Sequence, residues 1–259
     1  MQHPATALDD LAQAAGALIE RLRARSPRVH CITNAVAQNF TANVLLAVGA
    51  VPSMTLSPEE IAAFVMPAGA LLVNLGTFDA ERRAAADIAV ETAQQDAVPF
   101  VLDPVFIDRS ASRAAFAQAL VERAPKVVRL NHSEFAALAG AEPSAEAARA
   151  YAHEHKTIVA LSGAVDLVTD GTQHASIENG HALMARVTAM GCAGSALVAA
   201  CLAVEDDAFR AAAAALVILG VAGEVAAEKA QGPGSFAVAI LDALYRLDAT
   251  TLRTRARVT

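Results

Sequence analysis

From residue 70 onward, short apolar runs alternate with segments of helical periodicity. This alternation restricts the fold more than any other feature of the chain. ALLVNLG (70–76), PFVLD (99–103), KVVRL (126–130) and TIVALSG (157–163) are apolar runs of strand length. Helical segments follow them at 79–95, 110–123, 132–140 and 144–155. Strands that are apolar on both faces belong in a parallel sheet with helices packed on either side. VDLVTDG (165–171) and QHASIENG (173–180) read as a hairpin around Asp170-Gly171, adding antiparallel strands at one edge.

The chain before residue 70 fits the same plan. Leu8, Leu11, Ala15, Leu18, Ile19 and Leu22 recur at three and four residues, so 8–25 reads as an amphipathic helix that Pro27 stops. RVHCI (28–32) and AVPSM (50–54) are strand-like, and NFTANVLLAVG (39–49) is helical. SPEEIAAFV (57–65) has a serine cap, a proline at the first helical position and two acids in the first turn, which predicts a helix from its start. Three helices near 192–204, 206–230 and 234–247 are expected to close the chain. The segment TLRTRARVT then reads as a frayed, solvated tail. With no linker or repeat in view, residues 1–259 are expected to form a single domain with a flexible end at 248–259.

Composition narrows the function. A net charge of −7 offers no basic face for nucleic acid. Hydrophobic residues make up 55 % and charged residues 18 %, an apolar excess that suits buried subunit interfaces. No signal segment and no uninterrupted membrane-spanning apolar run is recognised, so a soluble cytoplasmic protein without a membrane partner is expected. Cys31, Cys192 and Cys201 have no CxxC spacing, which argues against a disulfide framework or a zinc site. His153 and His155 lie on different faces of a helix and make a poor metal pair.

Open parallel sheets build their sites at the carboxyl ends of the strands. Here those ends deliver Thr33-Asn34, Met54, Gly76-Thr77, Asp103-Pro104, Asn131 with Glu134 one turn on, and Ser162-Gly163. Each piece alone also suits an ordinary turn, and their convergence on one rim is what points to metal and phosphate. The stretch VTAMGCAGS (187–195) adds a small-residue turn running into a helix. Such a turn presents free amides, and the helix dipole favours an anion there. No GxxxxGK[ST] pattern occurs, so this is not a Walker loop. A tight packing turn, with Cys192 as a small buried hydrophobe, would explain the same residues.

HCITNAVAQNFTANVLLAVGAVPSM, VNLGT, VLDPV, VVRLNHSEF, LSGAVDLVTDG, VTAMGC and GPGSF, in this order and spacing, resemble the hydroxyethylthiazole kinases of the ribokinase-like superfamily. The resemblance covers about residues 10–246. It implies phosphorylation of 4-methyl-5-(2-hydroxyethyl)thiazole by ATP and Mg²⁺ in thiamine salvage, by a homotrimer whose sites lie between subunits. By position, Asn34, Val36 and Met54 match thiazole-pocket segments, and Asp103 and Glu134 the acids that organise magnesium. Arg129 and Ser162 match residues near the nucleotide phosphates. Ala189, Met190, Gly191 and Cys192 match the anion hole, with Cys192 facing the substrate hydroxyl. A thiol at a helix N-terminus is expected to have a lowered pKa, so Cys192 is expected to orient the hydroxyl and to be at most a modest base where most of the superfamily has an aspartate. Cys31 and Cys201 read as core residues.

Two positions depart from the family pattern. Ala189 stands where the family usually has glycine, which is costly if that position needs φ > 0. The loop after Asp103-Pro104-Val105 is Phe106-Ile107-Asp108-Arg109-Ser110 rather than glycine-containing, and Arg109 is expected to pair with Asp108. A kinase for another small alcohol, such as a hydroxymethylpyrimidine, is the nearest alternative. A catalytically weak binding protein rests on Ala189 alone, and a cysteine hydrolase would need His181 or His30 beside Cys192.

Overall fold

A computed structural model describes residues 7–259, with side chains from Leu11 onward. Strands β1 (Arg28–Ile32), β2 (Val51–Ser53), β3 (Ala70–Asn74), β4 (Phe100–Asp103), β5 (Val127–Asn131), β6 (Ile158–Ser162), β7 (Asp166–Thr169) and β8 (His174–Ile177) form one sheet. Its order is β2-β1-β3-β4-β5-β6-β7-β8. The first six strands run parallel. β7 and β8 then turn back antiparallel at one edge, as the hairpin at Asp170-Gly171 predicts.

The helices are α1 (Ala7–Arg25), α2 (Gln38–Ala47), α3 (Ile61–Val65), α4 (Ala80–Gln95), α5 (Ala111–Val121), α6 (His132–Ala139), α7 (Ala145–His155), α8 (Met190–Leu202), α9 (Ala208–Ala227), α10 (Pro233–Arg246) and α11 (Ala249–Arg255). They cover the sheet on both faces, and each face has its own core. One core joins α1, α2, α8, α9 and α10 to β1, β3 and β4 through Leu18, Leu45, Leu72, Val101, Leu197 and Phe236. The other joins α3 to α7 to the opposite face through Ile61, Val73, Val90, Leu102, Leu120 and Phe135. α1 lays Leu11, Ala15, Leu18, Ile19 and Leu22 into the first core, while the Leu8 side chain lies outside the described residues. α9 is long and apolar enough to cross a membrane, with mean hydropathy 1.7 over its most apolar 18 residues, yet 78 % of that stretch is buried inside the protein. A helix apolar on all sides is accounted for by this central position.

Three expectations need correction. The helix predicted over 57–65 starts only at Ile61, because Ser57 closes a turn in which its carbonyl accepts from the Glu60 and Ile61 amides. The Glu60 carboxylate accepts from Thr55 Oγ1 rather than supporting a helical first turn. Four helices, not three, follow residue 189, since 249–255 form α11. The end of the chain is accordingly tied down. Leu252 is fully buried, Val258 bridges to Ile177, and Thr259 exchanges backbone hydrogen bonds with Ser176. Arg257 pairs with Glu224 at 2.7 Å, and its amide donates to Asn179 Oδ1 at 2.7 Å. Two of the arginines that suggested a solvated tail instead find acids, Arg257 on Glu224 of α9 and Arg255 on Glu228 at its end, relationships invisible at separations of 33 and 27 residues.

Candidate active site

Parallel pairing brings the carboxyl ends of the central strands into register. Asn74 lies beside Asp103, and Asn131 beside Ser162. α8 starts above this rim. Its first residues, Met190, Gly191 and Cys192, have amides without an intrahelical acceptor, and no side chain caps them. The turn that aims the helix puts Ala189 at φ 70° and ψ −1°, in the left-handed region. The conformation that glycine favours is therefore adopted here by an alanine, at some expense in backbone energy.

Asp103 is buried at the centre of the rim. Its Oδ2 accepts from Asn74 Nδ2 at 2.6 Å and from Ser195 Oγ at 2.8 Å, and Oδ1 takes part in neither bond. Burial raises its pKa, and the positive charge of Arg129 opposes that rise. Arg129, on β5, is itself buried and donates through Nη1 to the Gly191 carbonyl at 3.0 Å and to Ser195 Oγ at 3.4 Å. Gly194 leaves room for this guanidinium, since a Cβ there would sit 3.2 Å from Arg129 Nη2 and 3.0 Å from Leu219 Cδ2.

Glu134 serves its own helix first. Asn131 caps α6 with its side chain, and Glu134 Oε2 accepts in return from the Asn131 amide at 2.9 Å, a reciprocal capping box. Glu134 Oε1 accepts from the Phe106 amide at 3.0 Å. Burial raises the Glu134 pKa, and the nearby Asp103 charge adds to that rise. The loop it holds contains a second departure from ordinary backbone geometry, with Phe106 at φ 60°. The Arg109 guanidinium lies 5.4 Å from the Phe106 ring centroid and also pairs with Asp108 at 3.6 Å, the partner that the sequence suggests.

Cys192 differs from expectation. Its pKa is pushed up to about 12, first by burial and then by the Asp103 charge, against a hydrogen bond from Asn74 and the charge of Arg129. A helix N-terminus and a nearby cation both favour a thiolate, but here burial and the Asp103 charge outweigh them. The thiol is thus protonated at neutral pH. Cys31 and Cys201 are buried core thiols, as expected. His30 is fully buried and bonds to Ser53 and Thr55, while His181 is exposed and caps the turn at Leu183, so each is committed elsewhere.

On the β1 side, Asn34 Oδ1 accepts from the Val36 amide at 3.1 Å and from Thr77 Oγ1 at 3.2 Å. Gly76 makes this approach possible, because a Cβ there would fall 2.5 Å from Asn34 Nδ2. Val36 is 70 % exposed, and Met54 is half-buried at the end of edge strand β2. On the β6 side, Ser162 Oγ is buried without a partner. It lines a cleft of about 600 Å³ together with Arg129, Asp166, Asn179, Met190 and Gly191. Asp166 accepts from the Gly163 amide at 2.9 Å, and burial raises its pKa. The sequence reading omits Asn74 and Asp166, and takes Ser195 only as a small residue that lets backbone and ligand come close. Ser195 had a detectable signal, since it lies three residues after Cys192 and four after Gly191, on one face of a helix.

Among the described residues no three His, Cys, Asp or Glu side chains gather as a metal cage. The rim instead offers one carboxylate oxygen outside its hydrogen bonds, a second acid, a buried guanidinium and a set of uncapped amides. Such a set can hold a phosphorylated ligand and its counter-cation beside a neutral thiol.

Comparison with known proteins agrees. The sequence profile of the hydroxyethylthiazole kinase family matches residues 19–250. The chain is 43 % identical over 247 residues to a probable hydroxyethylthiazole kinase of Agrobacterium fabrum, covering 95 % of each. It is 47 % identical over 238 residues to the hydroxyethylthiazole kinase of Klebsiella pneumoniae, covering 87 % of this chain and 92 % of that one. The solved hydroxyethylthiazole kinase of Pyrococcus horikoshii superposes with a TM-score of 0.91 at 39 % identity, covering 95 % of this chain and 98 % of that one. The fold is the ribokinase-like one. With the profile spanning most of its length and relatives this close, the chain belongs to the hydroxyethylthiazole kinase family.

Proposed function

We propose that this protein transfers the γ-phosphoryl group of ATP to the hydroxyl of 4-methyl-5-(2-hydroxyethyl)thiazole, a thiamine-salvage reaction. The observation that carries this reading is the uncapped start of α8 standing over Asp103, in a chain with hydroxyethylthiazole kinase relatives. The alcohol oxygen forms a bond to the γ-phosphorus as the bond to the β-phosphate oxygen breaks. The Met190, Gly191 and Cys192 amides meet the charge on the migrating group, and their fixed dipoles need no reorganisation. Arg129 supplies positive charge beneath them. The protonated Cys192 thiol orients the hydroxyl. In a loose transition state the alcohol proton leaves late, passing to an oxygen of the transferred phosphoryl group or to solvent, so no strong base is required beforehand.

The residues fit Mg²⁺, a hard cation that takes oxygen ligands and keeps several waters. Asp103 would hold it through Oδ1, and Glu134, whose oxygens both accept backbone amides, would act through water. When bound, Mg²⁺ neutralises phosphate charge as the leaving group departs. The cleft by Ser162 and Arg129 suits the nucleotide. Asn34, Val36 and Met54 suit the thiazole.

We further read the working unit as a homotrimer, each chain a single domain, with thiazole sites between subunits. Val36, Leu46, Val51, Phe64 and Met66 are 70, 57, 46, 40 and 58 % exposed on β2 and the segments flanking it. That apolar surface at the sheet edge needs a cover. Free thiols at all three cysteines suit the reducing cytoplasm.

A coupled ADP-release assay with the thiazole alcohol and the pyrimidine alcohol side by side tests the activity. Turnover of the thiazole alcohol is expected. Preference for the pyrimidine, or ligand binding without ADP release, would replace this reading. Cys192→Ala is expected to slow turnover without abolishing it, and Cys192→Asp to remain active. A wholly inactive Cys192→Ala that still binds both substrates would require an essential base. Sedimentation velocity tests the trimer.

A further inference from the structure

Asp103 and the anion-binding amides lie on different elements, one ending β4 and the other starting α8. Two buried polar side chains join them. Ser195 Oγ has a single proton, and the bond to Asp103 Oδ2 at 2.8 Å is shorter than the alternative to the Gly191 carbonyl at 3.3 Å. A hydrogen bond to a carboxylate is also the stronger of the two. The proton therefore goes to Asp103, and a hydroxyl lone pair receives Arg129 Nη1. The same Arg129 nitrogen holds the Gly191 carbonyl, whose residue carries one of the uncapped amides.

Asn74 completes the frame from the other side. Its Nδ2 donates to the same Asp103 oxygen, and its Oδ1 accepts from the Gly76 amide at 2.9 Å. Thr77, next in the chain, donates to Asn34. A continuous run of bonds thus leads from Asn34 through the 76–77 turn and Asn74 to Asp103, and on through Ser195 and Arg129 to Gly191. Every side chain from Asn74 to Arg129 in this run is buried.

We propose that Ser195 and Asn74 are positioning residues that clamp one oxygen of Asp103, leave the other free for the cation, and fix the acid relative to the phosphate-binding amides. This rests on the kinase reading above. Removing the Ser195 hydroxyl leaves Asp103 Oδ2 held by Asn74 alone, so that the acid is less firmly fixed, and leaves Arg129 one acceptor short, while the thiazole pocket keeps its own contacts.

The test uses full-length Ser195→Ala with two readouts. kcat is expected to fall about tenfold, the effect of one hydrogen bond to a charged group, with KM for the thiazole alcohol within about twofold of wild type. By titration calorimetry, ADP binding without Mg²⁺ should be unchanged, while the gain in ADP affinity on adding Mg²⁺ should shrink by about the same tenfold factor. A variant with wild-type kcat and a wild-type Mg²⁺ response, even if its melting temperature falls, overturns the proposal. Should Ser195→Ala fail to fold, Ser195→Cys, close in volume but a weak donor, is subject to the same criteria. If wild type releases no ADP with the thiazole alcohol, the kinase reading falls, and the calorimetric comparison still decides the positioning role.

Discussion

The Phe106 amide donates to Glu134 Oε1 at 3.0 Å, although Phe106 sits at φ 60° in a region that bulky residues avoid. The acid at the start of α6 thus fixes the loop after β4 as well as its own helix. Replacing Glu134 with alanine would remove the carboxylate to which two part-buried amides donate, at about 1 kcal/mol each. We expect Glu134→Ala to lose about 2 kcal/mol in urea unfolding and Glu134→Gln to lose less. Equal losses would show that the carboxylate bonds contribute nothing specific.

Ala189 pays the left-handed penalty at the mouth of α8, about 1–2 kcal/mol for an L-residue. Glycine removes that penalty but adds about 0.4–1 kcal/mol of unfolded-state entropy. Ala189→Gly is therefore expected to stabilise the protein by about 0.5–1 kcal/mol, a rise of roughly 1–4 °C in melting temperature for a chain of this size. A drop in melting temperature would contradict the strain at this position.

His30 is buried between β1 and β2, with Nε2 donating to the Thr55 carbonyl at 3.2 Å and Nδ1 accepting from Ser53 Oγ at 2.8 Å. The carbonyl can only accept, so the ring proton belongs on Nε2. Burial lowers the His30 pKa from 6.5 to about 4. Between these values the unfolded chain holds a proton that the folded one excludes. Stability from this group is complete above pH 6.5 and is lost as pH falls toward 4. At pH 4.5 the loss is on the order of 2–3 kcal/mol. Urea unfolding of wild type and His30→Gln at pH 7 and 4.5 should show that much less acid sensitivity in the variant. An identical pH dependence in the two proteins would refute it.

Leu252 decides whether the chain end is part of the fold. A fully buried leucine lost to alanine costs about 2–5 kcal/mol. A solvated tail would lose nothing, so the unfolding free energy of Leu252→Ala separates the two.

The alternation of apolar runs and helical segments determined the layered parallel sheet, because strands apolar on both faces have few other stable homes. The identities at the strand ends also marked the rim, since parallel strands all deliver their carboxyl ends to one side. Within α8, the three-residue spacing of Cys192 and Ser195 puts them on one face, a signal the sequence reading does not use. Only the tertiary structure decided what those side chains meet. Asp103 and Ser195 are 92 residues apart, so no local periodicity could pair them. The same holds for the Cys192 thiol, which a helix terminus alone would acidify but which burial beside Asp103 keeps protonated. It holds again for Arg257, solvated by local composition and paired by α9 in space. Backbone pattern is set by neighbours in sequence, whereas charge state and hydrogen-bond partners are set by neighbours in space.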